Sequence, residues 1–539
     1  MDLNDQIFIE PLPDERPAVY ADRLGRWYIT NISTSHKKEY GQFLTPVVVA
    51  DFMAGLVTVR SGSLRILDPG LGAGILSCAL AEAAARWPVK PAHIELLAYE
   101  LDPGLASEAE SCLHYLKEWL TRQGITFSYK IKTKDFILAN AHVMNNALPL
   151  FPQLIEAHEP FDVIISNPPY FKISKSDQRA MVTASAVYGQ PNIYALFMIV
   201  SAALLKLGGE FVFITPRSYA AGPYFRAFRK MFFSMLKPEA IHLFGSRTEA
   251  FDRDEILQEN IILKARREKK ETSAPKNSFV HVSHSEGVKG LHNSPKRKTP
   301  LREIINRESR DMVLCIPVSP EEDQVVQLVN SWEGSLHKYH MEISTGPVVP
   351  FRATQFIVSC GDVAGRSHAP LLWMQNIKTM SVSWPVMVRN KQQYIKICRE
   401  SAPLLVANRN YVLICRFSAK EDHRRLTAAP LPAGHLDSML IGLENHLNYI
   451  HRPRGDLSLP EMFGLSALFN CKLLDIYFRT FNGNTQVSAT ELRSMPLPPH
   501  EAIEEIGQVI LKKGILNINL EELITDVLGL KQRVERVHG

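Results

Sequence analysis

The stretch LDPGLGAGIL, Leu67 to Leu76, decides the fold. An acid closes the apolar run LRILDPG (Leu64 to Gly70), and Gly70, Gly72 and Gly74 lead into the Ala-rich segment ILSCALAEAAARW (Ile75 to Trp87). That pattern reads as a strand, a tight turn and a helix. Glycine lets a backbone adopt positive φ and approach a ligand closely. The turn lacks G-K-[ST], which disfavours a P-loop ATPase. Taken alone it also reads as a plain β–α turn. Working outward, IELLAYE (Ile94 to Glu100) is a second strand, followed by a helical stretch through Leu120. FDVIISNPPY (Phe161 to Tyr170) is a strand running into a turn. NIYALFMIVSAALLKLGG reads as a buried helix stopped by Gly208 and Gly209, and EFVFITP as the strand after it. Strands alternating with helices predict a parallel, doubly wound α/β sheet.

The 539 residues correspond to about three or four domains, or two large ones. A content of 45% hydrophobic and 22% charged residues excludes a disordered or collagen-like chain. Sixty-one basic against 56 acidic residues give +5, too small a balance to prove a polyanionic partner. The longest apolar run, Tyr194 to Leu205, is stopped by Lys206 and falls short of the roughly 18 residues a membrane span needs. The acidic, Pro-containing start MDLNDQIFIEPLPDERP is unlike a signal peptide. Seven scattered cysteines without a C-x-x-C pair support neither a disulfide framework nor a zinc site, and no metal is expected. The expectation is a soluble protein of a reducing cytosol, without a membrane partner.

From Lys264 to Arg310 there are 13 Lys/Arg against 5 Asp/Glu. A flexible basic linker and a strand tracking a nucleic-acid backbone are both open readings. Beyond it lies a region with Trp332, Trp373, Trp384 and many short β-like runs, and then an amphipathic helical end. The expected division is a catalytic domain 1–265, a basic linker 266–310, a mixed α+β second domain 311–500 and a helical segment 501–539.

Two constellations carry chemistry. In the first, Asp68 and Pro69 precede the glycine turn, and Glu100 ends the next strand, where a carboxylate can take both hydroxyls of a ribose. Asp135 and Phe136 stand at the expected end of a further strand, placed to accept from an adenine amino group and to stack on the ring. Each acid read alone is equally a helix cap. The second is SNPPY, Ser166 to Tyr170. Proline has no N–H, so Pro168 and Pro169 cannot continue a ladder. The segment presents an amide, free carbonyls and an aromatic ring at the carboxyl edge of the sheet, where such folds bind ligands. The Asn167 oxygen and the Pro168 carbonyl can accept both hydrogens of a planar amino group, and Tyr170 can stack on its plane.

With these motifs and KEYGQFLTPVVVADFM (Lys38 to Met53), the chain resembles the S-adenosylmethionine-dependent adenine-N6 DNA methyltransferases. It looks closest to restriction–modification methylases of the Eco57I and PstI/BsuBI type, which place cofactor motifs first and target recognition last. The resemblance implies a Rossmann-like class I methyltransferase sheet, S-adenosylmethionine as cofactor and double-stranded DNA as partner. It also implies a bacterial or archaeal cytosol and leaves room for a cognate restriction endonuclease. By the same resemblance Gly41, Phe43, Thr45 and Pro46 pack over the cofactor methionine. In EAFDRDEILQENIILKA (Glu249 to Ala265), Phe251 matches the position that stacks on a flipped target base. NYVLICRFSAKEDHRR and FNGNTQVSATELRSMPLPP resemble the family's C-terminal region.

The implied reaction takes adenine out of the duplex, because its amino group cannot react inside the stack. Sequence reading falls to the second domain. Candidate DNA contacts there are Arg389, Lys391, Arg452 and Arg454, with the polar turn Asn484, Thr485 and Gln486. Such cations read guanine or only phosphate. Rival readings are a methyltransferase for RNA or for a protein glutamine, and a non-catalytic DNA-binding subunit. The FLTP opening and the long tail argue against the first two, and the intact DPGLGAG and NPPY against the third.

Overall fold

The computed structural model describes residues 9–33, 35–36, 40, 44–144, 158–186, 191–245, 259–268, 278–306, 311–359, 367–386, 388–389, 391–419, 421–483 and 485–530. The chain divides into two compact units, Met1–Leu314 and Cys315–Gly539.

Among the described residues, the first unit is built on nine strands: β1 (Ser63–Asp68), β2 (His93–Tyr99), β3 (Thr126–Lys132), β4 (Phe161–Ser166), β5 (Leu205–Pro216), β6 (Leu236–Phe244), β7 (Asn260–Arg267), β8 (Phe279–Ser285) and β9 (Arg297–Pro300). Their order is β3-β2-β1-β4-β5-β7-β6-β8-β9. β1 to β5 run parallel, and β7 runs antiparallel to both β5 and β6. The order reverses between β1 and β4, so their carboxyl ends form the crevice where a doubly wound sheet takes its ligand. The residues of β4, FDVIIS, are all buried, as a parallel strand covered on both faces requires.

Helices that precede or connect the early strands include α1 (Pro17–Asn31), α2 (Val47–Gly55), α3 (Ile75–Ala85) and α4 (Pro103–Arg122). Apolar residues of all four share one core with Ile66, Ile165, Ile214 and Ile262 of the sheet. α3 starts from Gly74, which has φ +89°, a conformation that glycine adopts without the usual steric cost. Its small residues, ILSCALAEAAA, let it sink among its neighbours, with ten of eleven buried. α1 makes room at Gly25, where a Cβ would lie 2.7 Å from Leu44 and 3.0 Å from Ala73.

Two sequence expectations are corrected. The helix after Asn192 ends at Leu204, and β5 begins at Leu205 rather than after the glycines. Leu205 pairs with Phe161 of β4, and the register then shifts before Val163. The stretch expected as a basic linker contains β8 and β9, which complete the sheet, and the unit boundary falls after Leu314. Its opening cations are not free. Lys264 lies 3.1 Å from Glu210 and 3.0 Å from Glu239, and Arg266 bonds both acids. These partners come from β5 and β6, and they pair the first two cations of what reads as a basic run.

The second unit holds an antiparallel four-stranded sheet of Glu342–Thr345, Leu447–His451, Tyr411–Cys415 and Ala428–Leu431, with a second sheet of five short strands. The expected separate helical end belongs to this unit. Helix His500–Lys513 lies so close to helix Leu459–Phe469 that a Cβ on Gly464 would meet the Ile503 carbonyl at 1.9 Å. A Cβ on Gly507 would likewise meet the Pro460 carbonyl at 1.9 Å. Among the described residues, no helix is long and apolar enough to cross a membrane.

Candidate active site

β1 delivers Asp68 to the foot of the glycine turn. Its carboxylate is fully buried and accepts from Ser77 Oγ at 2.9 Å and from the Gly70 N–H at 3.3 Å. Burial pushes its pKa up to about 7. Asp68 therefore ties the turn to the first helical residues of α3 and does not line the cleft above. Gly74 likewise serves the helix start.

Gly72 adopts φ +56°, and its N–H donates to Glu100 Oε2 at 2.9 Å. The other Glu100 oxygen accepts from the Asp102 N–H at 2.9 Å. The carboxylate at the end of β2 is thus held by two backbone donors. Burial still dominates and raises its pKa to about 7. Asp135 caps the short helix α5 (Phe136–Asn140) through the Leu138 N–H at 2.9 Å. Its pKa is raised by burial, against the nearby Arg179, whose Nη1 lies 3.7 Å away. Phe136 is 2% exposed and packs between Tyr99 and Phe197, with ring centroids 5.3 and 5.2 Å away.

NPPY turns the chain off the end of β4. Asn167 Nδ2 donates to Thr45 Oγ1 at 3.1 Å. The Tyr170 hydroxyl lies 2.5 Å from Asn167 Oδ1 and 3.0 Å from the Ile214 carbonyl. It owns one proton, so it serves one of these acceptors fully at a time. The Tyr170 ring meets Tyr194 edge-on at 6.2 Å, and burial drives its pKa well up.

One cleft joins these pieces. Its walls include Pro69, Gly70 and Gly72 of the turn, Glu100, Asp135 and Phe136, and Asn167 and Pro169 of the corner. Sequence reasoning missed Tyr40, Phe171, Arg179 and Phe197 on the same walls. Arg179 had a faint signal in Asp177, a helix-capping acid that accepts its backbone and side-chain N–H groups. Thr45 is buried and points to Asn167 rather than into the cleft. Gly41, Phe43 and Phe251 lie outside the described residues.

The candidate DNA contacts of the second unit fare unevenly. Arg389 and Arg454 are exposed. Lys391 Nζ sits 4.0 Å over the Trp373 ring. Arg452 is corrected: its guanidinium grips both oxygens of Glu461, at 2.6 and 3.0 Å, which holds that acid's pKa down at about 2. The same pair occupies the carboxylate of Glu461, His500 and Glu504, whose ligand-type atoms lie within 4.8 Å of one another. Gln486 and Thr485 are exposed, their backbone carbonyls taken by Asn482 Nδ2 and the Ser418 N–H. Asn484 lies outside the described residues.

A sheet ordered 3-2-1-4-5-7-6 with its seventh strand reversed, and a cleft at the β1/β4 reversal, define the class I methyltransferase fold. The model of the Eco57I restriction-modification methylase family matches residues 105–251. The type II methyltransferase M.BsuBI of Bacillus subtilis is 30% identical over 501 residues, covering 92% of this chain and 96% of that protein. The type II methyltransferase M.PstI of Providencia stuartii is 31% identical over 496 residues, covering 92% and 94%. Among solved structures, a putative class I S-adenosylmethionine-dependent methyltransferase from Listeria monocytogenes is 18% identical with a TM-score of 0.37, covering 51% of this chain and 75% of that one. The chain belongs to the type II methyltransferases of restriction–modification systems, the family of M.BsuBI and M.PstI.

Proposed function

We propose that this protein methylates N6 of an adenine extruded from duplex DNA, as the modification component of a restriction–modification system. The observation that carries the reading is the single cleft connecting Gly70 and Gly72 to Asn167 and Pro169. A methyl donor on the glycine turn and an amino group at the corner share that space.

The residues present fit S-adenosylmethionine. Gly70 and Gly72 leave the backbone open toward the methionine end. Glu100, fixed by two N–H groups, offers its remaining lone pairs to the ribose hydroxyls. Asp135 faces the adenine amino group, with Phe136 and Phe197 as the apolar wall. When bound, S-adenosylmethionine supplies an electrophilic methyl group on its sulfonium.

The rest of the chemistry belongs to the corner. The lone pair of N6 is delocalised into the ring and is a poor nucleophile. Asn167 Oδ1 and the Pro168 carbonyl accept the two N6 hydrogens and strengthen as positive charge develops on nitrogen, which is the useful kind of binding. An N6–H arriving at Oδ1 leaves the Tyr170 hydroxyl proton to the Ile214 carbonyl, so each partner stays satisfied. Extrusion costs a few kcal/mol, and stacking on Tyr170 returns roughly 1–3 kcal/mol. Water takes the released proton, and this scheme calls for no metal ion. A separate endonuclease recognising the same site is the partner this role implies.

Methylation-sensitive sequencing of DNA from cells expressing the chain tests the reading. N6-methyladenine at one short recurrent sequence is the expected outcome, and unmodified adenines throughout would contradict it.

A further inference from the structure

Asn260 opens β7 opposite Pro216 of β5. Its side chain is 0% exposed, and neither Nδ2 nor Oδ1 has a hydrogen-bond partner. Leaving a buried polar group unsatisfied costs about 1–3 kcal/mol, and few native amides are left that way. The position explains what it waits for. Side chains alternate along a strand, and Ile262, two residues on, packs in the core beneath α2 with Ile214 and Ile165. Asn260 therefore stands on that face, one pleat step nearer the carboxyl edge of the parallel strands. Asn167 follows Ile165 by two residues and reaches Thr45, just before α2, on the same face. β4, β5 and β7 are consecutive in the sheet, so the strands carrying the two amides are about 10 Å apart. Between them lies the end of β5, where the Ile214 carbonyl faces the Tyr170 hydroxyl.

The neighbour of Asn260 is locked. Arg217, at the end of β5, donates its backbone N–H to the Glu259 carbonyl at 2.8 Å and its Nη1 to Glu259 Oε2 at 2.8 Å, both side chains buried. These bonds tie the start of β7, which Asn260 opens, to the end of β5.

We propose that Asn260 reads the edge of the extruded base, its Nδ2 donating to the ring nitrogen beside the amino group. The inference rests on the adenine-N6 reading above. With both N6 hydrogens held by Asn167 and Pro168, the flanking N1 and N7 are bare acceptors in adenine, and either gives the stranded Nδ2 its partner.

The test compares wild type with Asn260→Leu and Asn260→Ala on duplexes carrying adenine, 1-deazaadenine or 7-deazaadenine at the target. The wild type is expected to lose roughly tenfold in kcat/KM on one analogue, beyond any loss shown by the variants. Because the analogues change base reactivity equally for every enzyme, the difference between enzymes isolates the contact. Asn260→Leu, which removes the unsatisfied amide, is expected to keep or raise the thermal midpoint while slowing transfer to adenine. Equal analogue penalties in wild type and variants, or full-rate transfer by Asn260→Leu, would overturn the inference. A wild type that methylates no adenine in any duplex would instead remove the reading beneath it.

Discussion

Asn167 Nδ2 donates to Thr45 Oγ1 at 3.1 Å across 122 residues of sequence, joining the FLTP segment to the NPPY corner. With its nitrogen engaged there, the amide turns its oxygen the other way, toward the Tyr170 hydroxyl. The acceptor that the proposed chemistry needs is thus oriented by a residue that does not line the cleft.

Thr45→Val removes that acceptor at nearly constant shape. One neutral hydrogen bond is worth about 0.5–1.5 kcal/mol, so kcat should fall about threefold to tenfold. Thr45→Ser should restore it. Steady-state kinetics alongside cofactor-binding calorimetry checks this. A loss confined to cofactor affinity would assign Thr45 to the cofactor alone.

Glu100 must be ionised to accept from ribose hydroxyls, and burial places its pKa at about 7 in the free protein. Cofactor affinity should therefore weaken as pH falls below 7, approaching about tenfold per pH unit well below it. Glu100→Gln should bind more weakly at pH 8 and show a flat profile. Calorimetric titrations between pH 5.5 and pH 8 read both, and a wild-type affinity unchanged over that range would exclude this role.

Asp68 has a folded-state pKa near 7 against an ordinary 3.8. The folded form holds the proton more tightly, so this group favours folding at low pH. That contribution is lost as pH rises from about 4 through about 7. Asp68→Asn keeps the size of the group without the buried charge. Its thermal midpoint should gain on the wild type from pH 5 to about pH 7 and level off above it. A constant difference would show that the carboxylate is not titrating there.

Arg452 is bound into Glu461, whose side chain is 4% exposed. Arg452→Ala takes the cation from that carboxylate, leaving it the Ser458 N–H and His500, and should destabilise the second unit by about 2–3 kcal/mol in urea melts. Arg454→Ala, at an exposed position, should change stability by under about 0.5 kcal/mol. If Arg454 contacts phosphate, its loss should lower the salt dependence of DNA binding by about one counterion. The reverse pattern would make Arg452 the DNA contact.

The site core was legible because each piece is an apolar run ended by residues that break a strand: Asp68–Pro69–Gly70 after β1, Glu100 after β2, Asn167–Pro168–Pro169 after β4. Those endings place chemistry at a sheet edge whatever the rest of the chain does. β8 and β9 were not legible, because FVHVSHS and RKTP are short and largely polar, and the cations before them find their acids 56 and 27 residues away, as Arg266 does with Glu210 and Glu239. Arg452 failed for the same reason on a smaller scale: its partner, nine residues on, is a helix-start acid. Asn260 left a trace, an amide directly before the apolar run Ile261–Leu263, but only burial without a partner separates it from a surface turn.

The most direct test is transfer of labelled methyl from S-adenosylmethionine to duplex DNA by wild type and Asn167→Ala, followed by nucleoside analysis. The account predicts label on N6 of adenine with the wild type, none above background with the variant, and cofactor binding kept by both. Label on another base or on protein, or undiminished turnover by Asn167→Ala, would contradict it.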